Sequence, residues 1–271
     1  MKPAPTTPIA SLKFAELIAG LLPNGVVNFI TDANDLGDAL THHPDVRKIS
    51  FTGSTATGRK VMASAAETLC AFQNSGQVCP AIKRLYVHES IYDEMCNELA
   101  QLADAAIVDD GSKQGTQLGP LQNRMQYNKV KAFLEDAKKH GNIVAGGEVM
   151  DRPGYFIRPT IVRDITEGSR LVDEEQFGPI LPVLKYASTD EVIKRANATT
   201  YGLGASVWSS NTDRAHDVAA QLEAGTVWIN THLDMAPHIP FGGAKNSGLG
   251  VEFGEEGLAE FTQLQVINMA R

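Results

Sequence analysis

The segment Phe72 to Cys79 is the part of the sequence best suited to covalent chemistry, because it places a thiol three residues after a glycine. It reads Phe-Gln-Asn-Ser-Gly-Gln-Val-Cys. A cysteine attacks a carbonyl as its thiolate, and a tight turn with inward-facing N–H groups both favours the thiolate and binds the oxyanion that forms. Gly76 permits such a turn. Cys79 is therefore a candidate nucleophile, although a cysteine considered alone is more often a buried packing residue.

A second chemical signal lies upstream, at residues 51–58, which read Phe-Thr-Gly-Ser-Thr-Ala-Thr-Gly. An apolar run ends at Gly53-Ser54 and a helical pattern follows, so free N–H groups at the start of the helix could hold a phosphate. The two glycines suggest a Walker A loop, but Arg59-Lys60-Val61 stands where that loop requires Lys followed by Ser or Thr. We therefore expect a phosphate site that is not an NTPase site, with a plain strand-turn-helix corner as the alternative.

Two further segments add to these signals. One is Glu174-Glu175-Gln176-Phe177-Gly178-Pro179, and the other runs through Pro240-Phe241-Gly242-Gly243, Lys245, Ser247-Gly248 and Glu252-Phe253-Gly254. Together with the first two motifs, they resemble the motifs of the aldehyde dehydrogenase family, and the resemblance extends along nearly the whole chain. Val251 stands where an arginine is common in that family.

The resemblance implies an activity and a nucleophile. In the family, a cysteine thiol adds to an aldehyde, the thiohemiacetal gives a hydride to a nicotinamide, and water hydrolyses the thioester. By this resemblance Cys79 is the catalytic residue and the small-molecule partner is an aldehyde. Cys70 and Cys96 match no motif position, and we expect a structural or surface role for both.

The resemblance also implies NAD or NADP as cofactor. Lys2 would contact the adenosine ribose, Glu175 the nicotinamide ribose, and Phe177 would pack near the nicotinamide ring. The pyrophosphate would lie on Gly53, Ser54, Thr55, Ala56, Thr57 and Gly58. Many NAD-preferring members carry a glutamate where this chain has Pro5, and that acid binds the ribose hydroxyls and repels a 2'-phosphate. The choice between NAD and NADP is therefore open.

The composition favours a globular protein without nucleic-acid, metal or membrane partners. The chain has 271 residues, 43% of them hydrophobic, which is ample for a core. The net charge of -8 is spread without blocks, which argues against nucleic acid. The 3 cysteines show neither CxxC nor Cys/His spacing, so no disulfide framework or metal site is expected. With no apolar run of roughly 20 residues and no signal-peptide pattern, we expect a cytoplasmic protein.

Strands alternate with helices along the chain, which predicts an α/β fold with a largely parallel sheet. The predicted helices are at 9–18 (with Thr7 as N-cap and Pro8 as the first helical residue), 35–40, 55–69, 91–105, 130–138, 191–196 and 212–222. The predicted strands are at 26–30, 48–51, 85–87, 205–208 and 226–229, and loops are predicted at 111–119, 146–154 and 232–254.

The family resemblance implies a three-layer sandwich divided into domains. Residues 1–69 would form a partial Rossmann-like cofactor domain, and residues 70–250 a nearly complete catalytic domain. Residues 251–271 would form a C-terminal segment whose strand, Leu264 to Asn268, joins a neighbouring subunit in a homo-oligomer or pairs with a full-length relative.

One family segment is missing from the sequence. The family's general base is a glutamate in a Glu-Leu-Gly-Gly stretch, whereas here Leu69 continues directly into Cys70-Ala71-Phe72. A passage comparable to a βαβ unit of about 30 residues or more is therefore absent. The family's N-terminal part, with its oxyanion-hole asparagine, is also not found. Losing a general base costs ~10²–10⁴ in rate and losing an oxyanion donor ~10²–10³, so slow turnover is expected.

Two alternatives to a working dehydrogenase remain open. A catalytically impaired relative could serve as a binding or oligomerisation partner. Cys79 could also act in a thioesterase or simple esterase, which would hydrolyse its substrate without added cofactor. The identity of the substrate is beyond these motifs, because specificity depends on the shape of the pocket.

Overall fold

A computed structural model describes residues 1–33, 35–36, 39–40 and 71–270. The chain divides into two compact units, Met1–Phe51 and Thr52–Arg271. The predicted elements at 48–51 and 55–69 lie outside the described residues, and the predicted helix at 35–40 is only partly described. The predicted end of the cofactor domain also falls there, so the division into domains stays a prediction.

The first unit contains the helix α1, which runs from Ile9 to Ile18 and confirms the predicted helix. Its start differs from the prediction. Pro8 occupies the N-cap position and no side chain caps the helix, so the assignment of Thr7 as N-cap is wrong. Thr7 instead donates its N–H to the Ala4 carbonyl in a turn (3.1 Å), and Pro8, which lacks an N–H, leads into the helix.

The predicted strand at 26–30 is wrong, because these residues adopt no strand. Val26 donates its N–H to the Pro23 carbonyl (3.2 Å), in a turn that contains Gly25 at φ 86°. The side chain of Val26 is not packed on a sheet, since the residue is 63% exposed. The turn chemistry of Pro23 and Gly25 thus outweighs the β propensity of the run.

A 4-stranded sheet lies at the centre of the second unit. Its strands are β1 (Leu85–His88), β2 (Asn142–Ala145), β3 (Thr160–Arg163) and β4 (Ile180–Tyr186). The order is β1-β4-β3-β2. β4 pairs in parallel with β1 and with β3, whereas β2 pairs antiparallel with β3. The predicted strand at 85–87 and the largely parallel sheet are confirmed.

The sequence patterns miss the other three strands for physical reasons. β4 is buried continuously from Ile180 to Leu184, so it shows no alternation of apolar and polar residues. It also contains Pro182, which cannot donate to a neighbouring strand and so weakens a strand pattern. β2 and β3 have 4 residues each, which is too short for a clear periodicity.

Helices cover both faces of this sheet. They are α2 (Tyr92–Ala105), preceded by a 3₁₀ turn (Glu89–Ile91), α3 (Arg124–His140) and the short α4 (Arg170–Asp173). Ile161 of β3 belongs to a buried cluster with Cys96 of α2. The next residue, Val162, belongs to a second buried cluster with Phe133 of α3. Because successive strand residues point to opposite faces, the sheet is the middle of three layers, as predicted.

The rest of the unit consists of short elements around a second parallel pair. They are α5 (Thr189–Asn197), β5 (Tyr201–Gly202), β6 (Gly204–Val207), α6 (Thr212–Ala219), β7 (Thr226–Ile229), β8 (Phe241–Gly242), β9 (Ala244–Lys245), β10 (Val251–Glu252) and α7 (Gly254–Ala259). β6 pairs in parallel with β7, and β5–β9 and β10–β8 are short antiparallel pairs. The predicted helix at 191–196 and the predicted strands at 205–208 and 226–229 are confirmed to within two residues, whereas α6 ends at Ala219 rather than at Leu222. The loop predicted at 232–254 is wrong in part, because it contains the two-residue strands β8, β9 and β10, which are too short for a periodic pattern.

Residues 264–268, predicted as an oligomerisation strand, form no strand within the chain. Leu264 is 90% exposed, Val266 80% and Ile267 86%. A strand needs a partner to be stable, so the pairing of this segment with another subunit stays a prediction.

Candidate active site

Cys79 lies at the corner of a turn whose other residues are buried. The Ala81 N–H donates to the Val78 carbonyl (3.1 Å), which closes a β-turn with Cys79 and Pro80 at its centre. Val78, Pro80 and Ala81 are buried, whereas Cys79 is partly exposed. The flanking chain is thus fixed in the core while the cysteine remains partly accessible.

The turn that precedes Cys79 is left-handed. Asn74, Ser75 and Gly76 have φ values of 49°, 57° and 73°, and the Gln77 N–H donates to the Asn74 carbonyl (3.1 Å). Consecutive residues other than glycine rarely adopt this conformation, and such strain persists only where the surroundings enforce it. The glycine turn expected from the octapeptide is present.

The glycine of this turn lies directly against the segment Glu174 to Pro179. A Cβ atom at position 76 would lie 2.2 Å from the Gly178 carbonyl oxygen, which is far inside van der Waals contact. Gly178 in turn has no room for a side chain, because a Cβ atom there would lie 2.4 Å from a Val130 methyl group. Two motifs that are distant in sequence therefore meet backbone against backbone.

Buried polar side chains hold the left-handed turn in place. Ser75 donates its hydroxyl to the Gly119 carbonyl (2.6 Å). The Gln77 amide oxygen accepts the Gln122 N–H (2.9 Å), and its amide nitrogen donates to the Asn74 carbonyl (3.0 Å). Ser75 and Gln77 are 3% and 8% exposed, so breaking these bonds would leave buried polar groups without partners.

Glu175 and Phe177 are both partly exposed and flank Gln176, which is 0% exposed. The Gln176 amide donates to the Ile180 carbonyl (2.7 Å). Gln126 of α3 donates its amide to the carbonyls of Gln176 (2.9 Å) and Phe177 (2.8 Å). Buried and partly exposed residues therefore alternate along this loop. The buried Gln176 fixes the backbone, and Glu175 and Phe177 lie on the more exposed side.

Lys83, two residues before β1, reaches back to the turn that precedes Cys79. Its ammonium donates to the Gly76 carbonyl (2.5 Å) and lies 4.9 Å from the centre of the Phe177 ring. Burial lowers the pKa of Lys83 to about 8, although the nearby Glu175 carboxylate and Cys79 favour the charged form. A cation therefore lies between the two predicted site segments.

His232 contacts the residue that follows the cysteine. Its Nε2 donates to the Pro80 carbonyl (2.7 Å), and its ring packs edge-on against Trp228 with centroids 4.9 Å apart. Because Nε2 carries the proton, Nδ1 of the neutral ring is an acceptor, and it is buried without a hydrogen-bond partner in the described part of the chain. Burial lowers the pKa of His232, so the ring stays neutral to lower pH than a free histidine.

The remaining predicted cofactor residues belong to the first unit or lie outside the described chain. The Lys2 ammonium is 2.8 Å from an Asp32 carboxylate oxygen, and the other oxygen of Asp32 accepts the Leu36 N–H (2.9 Å). Lys2 is thus engaged by an acid of its own unit. Residues 53–58, the predicted pyrophosphate segment, lie outside the described residues.

The described residues include neither a metal-binding cluster nor a membrane-spanning helix. Among these residues, no group of three or more His, Cys, Asp or Glu side chains is placed to hold a metal ion. No helix in the same ranges is long and apolar enough to cross a membrane.

The described residues thus form a three-layer α/β fold in which Cys79 follows a left-handed turn. That turn packs against the loop from Glu174 to Pro179, which carries the partly exposed Glu175 and Phe177. A model of the aldehyde dehydrogenase family matches residues 1–73 and 68–267, and the chain belongs to that family.

Relatives and solved structures agree with this assignment. The chain is 39% identical to the mitochondrial aldehyde dehydrogenase of Leishmania tarentolae, over 100% of this chain and 61% of the relative. The NAD+ complex of an aldehyde dehydrogenase from Bacillus cereus matches with a TM-score of 0.88 and 36% identity, over 97% of this chain and 60% of that one. The NADP+ complex of a Streptococcus pyogenes succinic semialdehyde dehydrogenase matches with a TM-score of 0.71 and 35% identity, over 75% of this chain and 46% of that one. The chain spans about three fifths of the length of the curated relatives that it matches.

The comparisons also support an internal gap. The family model matches in two pieces that meet at residues 68–73, where the sequence lacks the Glu-Leu-Gly-Gly stretch. The alignment with the Leishmania relative has 305 positions against 271 residues here, so at least 34 positions of the relative have no counterpart. This agrees with the predicted absence of about 30 residues or more, the size of a βαβ unit.

Three polar residues around the site escape the sequence patterns. None of these residues belongs to a motif: they are Lys83, Gln126 and His232. Each donates a hydrogen bond to a backbone carbonyl of the site, and these carbonyls belong to Gly76, Gln176 and Pro80, respectively. A lysine is normally solvated, so the sequence contains no signal that this one is turned inward.

Proposed function

We propose that the chain is an NAD(P)-dependent aldehyde dehydrogenase in which Cys79 is the nucleophile. The observation that carries the proposal is the contact between Gly76 and Gly178, where a Cβ atom would lie 2.2 Å from a carbonyl oxygen. This contact joins the thiol turn to the loop that presents Glu175 and Phe177. A cysteine that forms a thiohemiacetal must lie close to the group that receives the hydride.

The chain's own residues support two parts of this chemistry. Cys79 would form the carbon–sulfur bond to the aldehyde. The turn at Asn74 to Gly76 and the His232 bond to Pro80 would fix the chain on either side of the thiol. NAD or NADP, when bound, would supply the hydride acceptor, and water would then release the acid from the thioester.

The loop from Glu174 to Pro179 fits the nicotinamide end of the cofactor. Glu175 and Phe177 are partly exposed, whereas Gln176 and Gly178 are buried and fix the backbone. A carboxylate can accept hydrogen bonds from ribose hydroxyls, and an aromatic ring can pack on a flat heterocycle. At the adenosine end, Lys2 would first have to share or leave its ion pair with Asp32.

The internal gap sets an expectation for the kinetics. Without the general base of the Glu-Leu-Gly-Gly stretch, release of the acid should be slowed by ~10²–10⁴. Formation of the thioester does not require that base if Cys79 is already a thiolate. We therefore expect about one equivalent of reduced cofactor per chain in a rapid phase, followed by slow turnover.

The test is a stopped-flow measurement of reduced-nicotinamide absorbance with a panel of aldehydes and either NAD or NADP. We expect the rapid phase in the wild type, and we expect Cys79→Ser to abolish it together with the acyl adduct seen by peptide mass spectrometry. Cys96→Ala is the matched control, since it removes a buried thiol of α2 and leaves Cys79 in place.

Folded wild-type protein that gives neither a rapid phase nor an acyl adduct would contradict the proposal. Hydrolysis of an ester without cofactor, lost in Cys79→Ser, would point instead to an esterase. A second candidate function, a catalytically impaired oligomerisation partner, is favoured by the exposed apolar residues at 264–268. It predicts that the chain associates with itself or with a full-length relative whether or not it turns over.

A further inference from the structure

Lys83 is turned toward the protein interior at the point where the two site segments meet. Its ammonium donates to the Gly76 carbonyl (2.5 Å) and lies 4.9 Å from the Phe177 ring centre. The first contact fixes the turn that precedes Cys79. The second places a cation on the face of the Phe177 ring, in the loop from Glu174 to Pro179. A neutral amine would stabilise this arrangement much less.

Several charged groups face this amine from the elements packed around it. Glu175 and Cys79 favour its protonated form, and Lys129 of α3, whose own ammonium donates to the Glu175 carbonyl oxygen (2.8 Å), opposes it. His232 donates to the carbonyl of Pro80, the residue after Cys79, as a neutral ring. Burying an ammonium is unfavourable unless anions lie close to it, and Glu175 and a Cys79 thiolate are the anions that face it here.

We infer that Lys83 is a positioning residue that stabilises the thiolate of Cys79 through its charge while it holds the Gly76 turn in place. The inference rests on the proposed function only in taking Cys79 as the nucleophile. The ammonium is bonded to the Gly76 carbonyl, three residues before the thiol, and interacts electrostatically with Cys79. A nearby opposite charge favours the ionised form of a group, and thiolates next to lysine form at lower pH than free thiols. The effect is reciprocal, because a thiolate that is stabilised by the ammonium must also stabilise the ammonium.

The experiment measures the rate of alkylation of Cys79 by iodoacetamide as a function of pH, with the modified peptide identified by mass spectrometry. Lys83→Met and Lys83→Gln should raise the pH midpoint by about one unit, which is up to about tenfold in thiolate fraction at pH 7. Lys83→Gln retains a donor near Gly76 and removes only the charge. Lys83→Arg should restore the low midpoint, because its charge persists at all pH values used.

Lys138→Met is the matched control, since it removes the same charge from an exposed ion pair with Glu135 on α3. Its alkylation profile should coincide with that of the wild type. A purely structural role of Lys83 would lower the melting temperature without moving the pH midpoint, and that result would overturn the inference.

A reciprocal measurement covers the case in which the Lys83 variants do not fold. The Cys79 thiolate raises the pKa of Lys83, so Cys79→Ser should shift the pH dependence of reductive methylation at Lys83 to lower pH. An unchanged methylation profile would overturn the inference. Neither measurement uses an aldehyde or a cofactor, so a chain that fails as a dehydrogenase can still show the coupling, and a working dehydrogenase can lack it.

Discussion

Gly76 is the residue on which the geometry of the thiol turn depends. It has φ 73°, and a Cβ atom there would lie 2.2 Å from the Gly178 carbonyl oxygen. These are two separate demands. The left-handed conformation costs an L-residue roughly 1–2 kcal/mol, whereas the overlap can be relieved only by moving the backbone of the facing loop.

Gly76→Ala should therefore destabilise the protein by more than about 2 kcal/mol and lower the rapid phase of cofactor reduction. The matched control is Gly168→Ala, because Gly168 has φ 92° and nothing within 4 Å of its Cβ position. It should lose only the conformational part. Denaturant unfolding gives the free energies, and an equal loss in the two variants would contradict the contact with Gly178.

The sequence predicts some of these residues and not others. A glycine before a cysteine predicts a tight turn at Gly76, since only glycine adopts positive φ freely. The facing Gly178 and the inward-turned Lys83 depend on tertiary contacts between distant segments, which local patterns do not contain. The predicted roles of Cys79, Glu175 and Phe177 remain predictions to be tested.

At the scale of elements, α3 connects the fold to the site through its first turn. Asn123 caps the helix by accepting the Gln126 N–H on its side-chain oxygen (2.9 Å). The side chain of Gln126 then donates to the Gln176 and Phe177 carbonyls (2.9 and 2.8 Å). A helix cap and the position of the acidic, aromatic loop are therefore linked through one residue.

Asn123→Ala should cost about 1 kcal/mol of stability through loss of the cap and should also alter cofactor affinity, since the loop loses part of its support. Asn211→Ala is the matched control, because Asn211 caps α6 by accepting the Arg214 N–H at the same distance (2.9 Å). It should show a similar loss of melting temperature with unchanged affinity. An equal change in cofactor affinity in both variants would contradict the proposal that the Asn123 cap acts on the loop through Gln126.

The elements differ in how far the sequence predicts them. Amphipathic helices such as α2 and α3 are predicted because their apolar residues recur at helical spacing. The start of α3 at Arg124 lies well before the predicted 130 because the first turn is polar and is stabilised by the Asn123 cap. β4 is missed because a strand buried on both faces has no alternation, and Pro182 weakens the pattern further.

At the scale of the whole molecule, the second unit combines its three-layer α/β fold with exposed apolar residues at 264–269. Leu264, Val266, Ile267 and Met269 are 90%, 80%, 86% and 85% exposed. A contiguous apolar segment of this kind normally contacts another chain. The strand at 264–268, which the family resemblance implies, is not formed within the chain, and its pairing with a neighbouring subunit stays a prediction.

We expect the purified chain to elute above its monomer mass of 29.2 kDa. Replacing Val266 and Ile267 together by Lys should return it to the monomer, because two charges would have to be buried in the contact. Leu249→Lys is the control, since Leu249 is 102% exposed outside this segment and its replacement should leave the association intact. Light scattering with size-exclusion chromatography makes the measurement, and a wild-type chain that is monomeric at micromolar concentration would refute the expectation.

The stacking of Gly76, Gly178 and Val130 has a consequence for the entropy of the reaction. Where two backbones touch without intervening side chains, no rotamers remain to be ordered when a ligand arrives. The spacing between the turn that precedes Cys79 and the loop from Glu174 to Pro179 is therefore set when the chain folds. The conformational entropy lost in ordering these two segments is a cost of folding and not of binding. A substrate that binds there loses its own translational and rotational entropy, but its binding does not have to order these two segments of the protein.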